Sequence, residues 1–153
     1  MVIQRWQSVL LLIAGNMMGL FSLCSLGQVS GANMTANIYS YGIYAEGTGE
    51  SLLNTVYVCI VGVLVGVLAL AGIFMFKNTR LQKRVCLMSI VLTLAACGSE
   101  WLAVQGFELP GETMPSFSSI AFTPFIAVAA LLGAYRCIRG DEKKLAAANT
   151  LRG

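Results

Sequence analysis

The sequence predicts an all-α membrane fold, a polytopic bundle of four transmembrane helices with both termini on the cytoplasmic side. Three observations carry that prediction. Four apolar runs are each long enough to span a bilayer, which takes about 20 mostly apolar residues. Hydrophobic residues make up 57% and charged residues 11% of the chain, with a mean hydropathy of +0.76, whereas soluble domains run near ~25% charged. Every Lys and Arg falls in the N-terminal segment, a central turn or the C-terminal tail, and the two intervening loops carry only acids. Basic residues beside short loops stay in the cytoplasm, so those three segments share one side.

The first helix is expected over residues 3–26, after Arg5 and an interfacial Trp6. A cation followed by an apolar core also opens a signal peptide. Here the core is long, the small-x-small cleavage pattern is poor, and Leu23 before Cys24 spoils a lipoprotein cleavage site, so a retained helix is expected. Asn16 is polar at depth and is expected to bond across a helix interface. Gly15 and Gly19 have the small-residue spacing that lets helix backbones approach closely in lipid. The outer loop, 27–51, has no cation, and Ile38–Tyr44 is rich in strand formers. It reads as a tyrosine belt at the headgroups with a short β-hairpin.

The second helix is expected over 52–76, with Gly62 and Gly66 repeating the small-residue spacing. The two glycine pairs together favour close packing of the first and second helices. Then comes Lys77-Asn78-Thr79-Arg80-Leu81-Gln82-Lys83-Arg84, half of it cationic. Burying any of these cations at the bilayer centre costs roughly 2.5–3.5 kcal/mol, so the octet must be a turn. Thr79 and Gln82 have capping-box spacing, which starts the third helix at 80 and runs it to 104. Arg80, Lys83 and Arg84 then crowd its first turn, where cations oppose the helix dipole. They are expected to meet anions, either lipid phosphates or the acids of the tail. Ser89, Thr93 and Ser99 are available for interhelical hydrogen bonds, and Glu100, beside Trp101, reads as a solvated interfacial carboxylate.

The second outer loop, 105–117, carries Glu108, Glu112, Pro110 and Pro115. The fourth helix is expected over 118–140, with Pro124 either starting or kinking it. Ala129/Gly133 and Ala130/Ala134 repeat the small spacing, and Arg136 and Arg139 close the span. A cytoplasmic tail, 141–153, begins with Asp141 and Glu142. The carbonyls ending one helix disfavour these acids, just as the N–H groups opening another disfavour Arg80, Lys83 and Arg84. Joining the two helix ends relieves both conflicts, which predicts ion pairs between Asp141 or Glu142 and that triad.

The chain has no histidine, and its five cysteines form no Cys-x-x-Cys pair, so no metal, cofactor or thiol-redox site is expected. The cysteines are expected to pack as small apolar residues. The basic residues flank apolar spans rather than a polar groove, which argues against nucleic acid.

The stretches Met1-Val2-Ile3-Gln4-Arg5-Trp6-Gln7, Phe76–Cys86 and Arg136–Leu145 resemble, in this order, the pattern of a family of small four-helix bacterial inner-membrane proteins classed as a domain of unknown function. Gly140 stands where that pattern has Lys, and the tail after Ala147 departs from it. The resemblance implies a bacterial inner membrane, N-in and C-in, and no activity. Its shared residues lie on the cytoplasmic face, where Arg80, Lys83, Arg84, Arg139, Asp141 and Glu142 are expected to meet a partner or lipid headgroups. The expected function is a non-catalytic accessory or scaffold subunit of a membrane assembly. The alternative is a small transporter or lipid- or small-molecule-binding protein using Asn16 and Glu100. Expected partners are membrane lipids with anionic headgroups, a larger membrane-protein complex, and, through the glycine faces, a second copy of the chain.

Topology is directly testable with single cysteines in a background lacking the native ones. An impermeant maleimide should label position 41 in intact spheroplasts and should reach position 80 only after lysis. Labelling of position 80 from outside would refute the orientation.

Overall fold

The computed structural model describes residues 2–75, 77–107, 111 and 114–152, and the side chains within those ranges apart from residues 2–5 and 152. The Arg5 side chain and the loop residues Glu108, Pro110 and Glu112 therefore lie outside the described set. The first apolar run forms α1 (Val2–Leu23) and stops where the pattern turns from continuous to alternating, at β1 (Ser25–Ser30). Three more strands follow, β2 (Thr35–Tyr39), β3 (Gly42–Ala45) and β4 (Ser51–Asn54). Then come α2 (Val56–Phe74), α3 (Thr79–Gln105), β5 (Met114–Phe117), a 3-10 turn at Ser119–Phe122 and α4 (Thr123–Arg152). All four helices are long and apolar enough to cross a membrane.

The helices form a ring in which α1 packs on α2 and α4, and α3 closes the circle against the same two. Glycine sets the α1–α2 distance. A Cβ on Gly15 would stand 3.0 Å from the Leu70 side chain and 3.4 Å from the Gly66 carbonyl, and one on Gly66 would stand 3.5 Å from the Gly15 carbonyl. A Cβ on Gly62 would run into the Ser22 hydroxyl. The expected glycine contact is thus made within the chain. Gly19 takes no part, since a Cβ there would meet open space. Gly133 lies against Leu10 and brings α4 to the other side of α1.

The all-α expectation is overturned by a five-stranded antiparallel sheet in the order β4-β3-β2-β1-β5. The hairpin anticipated near Tyr39 is its β2–β3 turn. The loop proves long enough for a four-strand meander, and β5 adds to β1 from the second loop, pairing Gly27 with Phe117 and Ser30 with Met114. Leu26, Val29, Ala36, Ile38 and Ile43 are buried in one core with Phe21, Val58 and Val104 of the helices, so the sheet packs over one end of the bundle. Tyr39, Tyr41 and Tyr44 cluster on it, with ring centroids 4.9 to 6.1 Å apart.

Several local expectations change as well. The cap of α3 is Asn78, whose side chain accepts from the Leu81 N–H at 3.3 Å, rather than Thr79. Pro124 falls in the first turn of α4, behind the 3-10 turn, and so starts the helix. The expected tail is a continuation of α4 through Arg152, because Leu145-Ala146-Ala147-Ala148 are strong helix formers beyond the charged turn. Asn16 faces outward and donates to its own helix, at the Leu12 carbonyl 2.9 Å away, because the neighbouring Gly15 takes the interface. Ser99 likewise bonds within α3, to the Ala96 carbonyl at 2.9 Å, whereas Thr93 bonds the Ser89 carbonyl at 2.7 Å and also reaches the Met18 sulfur of α1 at 4.0 Å, as expected of an interhelical contact. All five cysteines are free, and Cys86 is buried.

Ser22 is fully buried with its hydroxyl oxygen unpartnered among the described residues, so removing that hydroxyl should cost little. Gly62→Ala should lower thermal stability by about 1 kcal/mol through overpacking against it. Adding Ser22→Ala should restore most of the loss, because the Ser22 Cβ lies 3.6 Å from the new methyl, an ordinary contact. A double variant as unstable as Gly62→Ala alone would place the close contact elsewhere.

Candidate functional site

One helix carries polar chemistry from end to end of the bundle. Along α3, Gln82, Cys86, Ser89, Thr93, Ala96, Glu100 and Val104 recur at three- and four-residue spacing, and all are buried. This stripe faces the ring interior. It joins a basic end, where α3 begins and α4 ends, to a sheet end, where α3 finishes beneath the strands.

At the basic end, three contacts tie the helices together and a fourth caps α3. Gln82, nearly fully buried, donates to the Gly72 carbonyl of α2 at 3.0 Å instead of closing a capping box. Lys83 pairs with Glu142 at 2.5 Å, joining α3 to α4. Asp141 does not meet the basic triad. It accepts from the Gln7 amide of α1 at 2.6 Å. Asn78 holds the α3 N-terminus. The hydrogen bond from Lys83, helped by Thr79 and by the charge of Arg80, holds the half-buried Glu142 carboxyl, beyond the last apolar turn of α4, below the usual carboxylate range. Arg80, Arg84 and Arg139 are exposed. Arg80 and Arg84 line an open groove of about 670 Å³ with Leu87, Tyr135 and Leu145.

At the sheet end, Glu100 is only 7% exposed, so the solvated carboxylate expected there is in fact buried. Its position follows from helix phase, since it stands on the same stripe as Thr93 and Ala96. One carboxylate oxygen has no hydrogen-bond partner among the described residues. Glu100 lines an apolar cavity of about 440 Å³ whose floor is Phe21, Leu26, Ile38 and Val104. That volume is in the range of small-molecule sites, roughly 300–1,000 Å³. Trp101 stacks on Phe117 of β5 with centroids 5.7 Å apart, which makes the sheet part of the wall. The rim consists of Leu94, Gly98 and Trp101 of α3 with Phe122 and Phe125 across the gap, all exposed. The cavity therefore opens on the flank of the bundle between α3 and α4.

Gln7 was passed over as a contact, and Gln82 was read as part of a cap rather than as a donor to α2. The signal at Gln7 was an uncharged amide at the start of an apolar run. Among the described residues, no group of three or more His, Cys, Asp or Glu could hold a metal.

A family model described as a domain of unknown function, DUF4293, matches residues 3–151. The chain belongs to that family. No match to it was found among curated proteins or among solved structures. In this DUF4293 member, the three stretches that carry the resemblance meet at the basic end, through the Gln7–Asp141 and Lys83–Glu142 contacts.

The Lys83–Glu142 pair predicts a charge-swap result. Lys83→Glu and Glu142→Lys should each loosen the end of α4 to proteolysis, and the double swap should restore protection. The energy involved is about 1 kcal/mol or less, as for exposed pairs generally. Because the Glu142 pKa is lowered in the folded chain, protection should persist above the ordinary carboxylate range and fade as pH falls through the lowered value. A double swap as labile as the singles would show that the pair does not order the helix end.

Proposed function

We propose that this chain is a multi-pass protein of a bacterial inner membrane, both termini cytoplasmic, that binds a lipophilic small molecule in the flank cavity at its sheet end. The carrying observation is the combination of an apolar cavity of about 440 Å³ with a buried carboxylate in its wall, one oxygen of which has no partner among the described residues. Binding sites are typically concave and mostly apolar, with few polar groups that fix orientation. A carboxylate kept out of water without a partner costs free energy, and a ligand that engages it offsets that cost. The orientation rests on charge. The described cations cluster at the basic end, opposite the sheet, and cations favour the cytoplasmic side. The flank opening then faces the hydrocarbon of the outer leaflet, and the ligand reaches it from the bilayer.

A second reading, an accessory or scaffold subunit, draws on the basic end. The last turns of α4 stand free, with Leu145 60% and Leu151 90% exposed, beside the groove lined by Arg80 and Arg84. That surface suits a partner subunit or anionic headgroups. The two readings use opposite ends of the bundle and are compatible.

The ligand-binding reading is tested by Gly98→Leu. A Cβ on Gly98 meets open space, and Gly98 lines the cavity, so a leucine there fills it without disturbing the backbone. Protein purified in mild detergent should carry a small molecule that organic extraction and mass spectrometry detect in the wild type and not in Gly98→Leu. Identical extracts from both would count against the cavity as the binding site.

A further inference from the structure

Among the described residues, Glu100 stands far from every cation. The nearest basic residue on its own helix is Arg84, sixteen residues away, or roughly 24 Å at 1.5 Å per residue. Across the cavity, Phe125 of α4 is separated from Arg136 by three helical turns. Among the described residues, no Lys or Arg lines the cavity, and the other lining side chains are apolar or aromatic apart from the Cys97 thiol, a weak donor. A buried carboxylate of this kind stays ionised only where a counter-charge matches it.

The rest of the wall is suited to the same charge. Trp101, Phe117, Phe122 and Phe125 surround the opening, with Trp101 on Phe117 and Phe122 near Phe125 at 6.5 Å between centroids. The faces of such rings attract cations, most strongly where water is excluded. An anionic ligand would meet the carboxylate and the negative ring faces together. A neutral alcohol would satisfy a hydrogen bond and leave the charge unmatched.

We propose that the cavity selects lipophilic cations: molecules that place an ammonium group against Glu100 and an apolar, ring-sized body against the aromatic wall. The proposal rests on the ligand-binding reading above and adds the charge of the ligand. Glu100 supplies charge selectivity, and the apolar floor supplies affinity shared by all lipophilic molecules of that size. Entry is lateral, through the gap between Gly98 and Phe125, so the cation arrives already partitioned into the membrane.

The test uses the full chain in nanodiscs of zwitterionic lipid, with Trp6→Phe so that Trp101 is the only tryptophan and can be excited selectively. Three probes share a bromophenylpropyl body, whose bromine quenches tryptophan on contact, and end in a primary amine, an alcohol or a carboxylic acid. The amine should bind about tenfold tighter than the alcohol, as expected for hydrogen bonding to a charged group, with the acid weakest. Glu100→Gln should bring the amine to the level of the alcohol and leave the alcohol unchanged. Gly98→Leu should abolish quenching by all three. If Gly98→Leu blocks every probe but amine and acid bind equally, or Glu100→Gln leaves the amine untouched, the cation proposal falls and the binding reading stands. If Gly98→Leu leaves quenching by every probe intact, the binding reading falls too, and the proposal with it.

Discussion

A helix surrounded by apolar neighbours has no water to satisfy its polar side chains, and that constraint governs most of what is seen here. Several such groups turn to backbone carbonyls, while the Ser22 and Ser89 hydroxyls have no partner among the described residues. Asn16 reaches back to Leu12, Thr93 to Ser89 and Ser99 to Ala96, all within their own helices. Gln82 and Ser40 go further and reach carbonyls of neighbouring segments, at Gly72 and Ser22. The Ser22 carbonyl, in the last turn of α1, also accepts from the Cys59 thiol at 3.5 Å. Helix-end carbonyls lack partners in their own helix, so these contacts secure the junction between bundle and sheet. Glu100 departs from the pattern, and its unpartnered oxygen is what distinguishes the sheet end from a passive lid.

The two ends are closed by different means. At the basic end the ties are individually weak and lie near solvent, being one ion pair and a few side-chain hydrogen bonds. At the sheet end they are a backbone ladder over a buried apolar face. Between them, packing depends on small residues, with Gly15 and Gly66 on one side of α1 and Gly133 on the other. Larger side chains at these places would push the helices apart and open the interior stripe of α3.

Hydropathy and charge made the number of helices legible, together with the meeting of the three basic segments at one end. Glycine spacing made the α1–α2 contact legible. The sheet was less so, for physical reasons. β1 is short, half polar and separated from α1 only by a bend, and β5 is four residues long and contains a proline, so neither announces itself locally. Their pairing is a contact between distant parts of the chain, and strand preference depends on such context. The inward placement of Glu100 was available from counting back in threes and fours to Gln82. Its nearness to the polar loop made solvation the simpler reading. Asn16 shows the converse, where one step of helix phase turned a candidate interior residue outward.

The pairing of β1 with β5 also sets an order of events in synthesis. β1 to β4 form a meander from one continuous stretch and can assemble as soon as α1 and α2 are in place. During that interval β1 is an open edge, with unpaired backbone groups of the kind that recruit foreign strands. The residues that cover it, Met114–Phe117, emerge only after the whole of α3 has been made. Non-local pairing of this type is slow relative to helix formation, so the nascent chain passes through a state with three helices and an unprotected strand, and completion of the sheet coincides with arrival of the last helix.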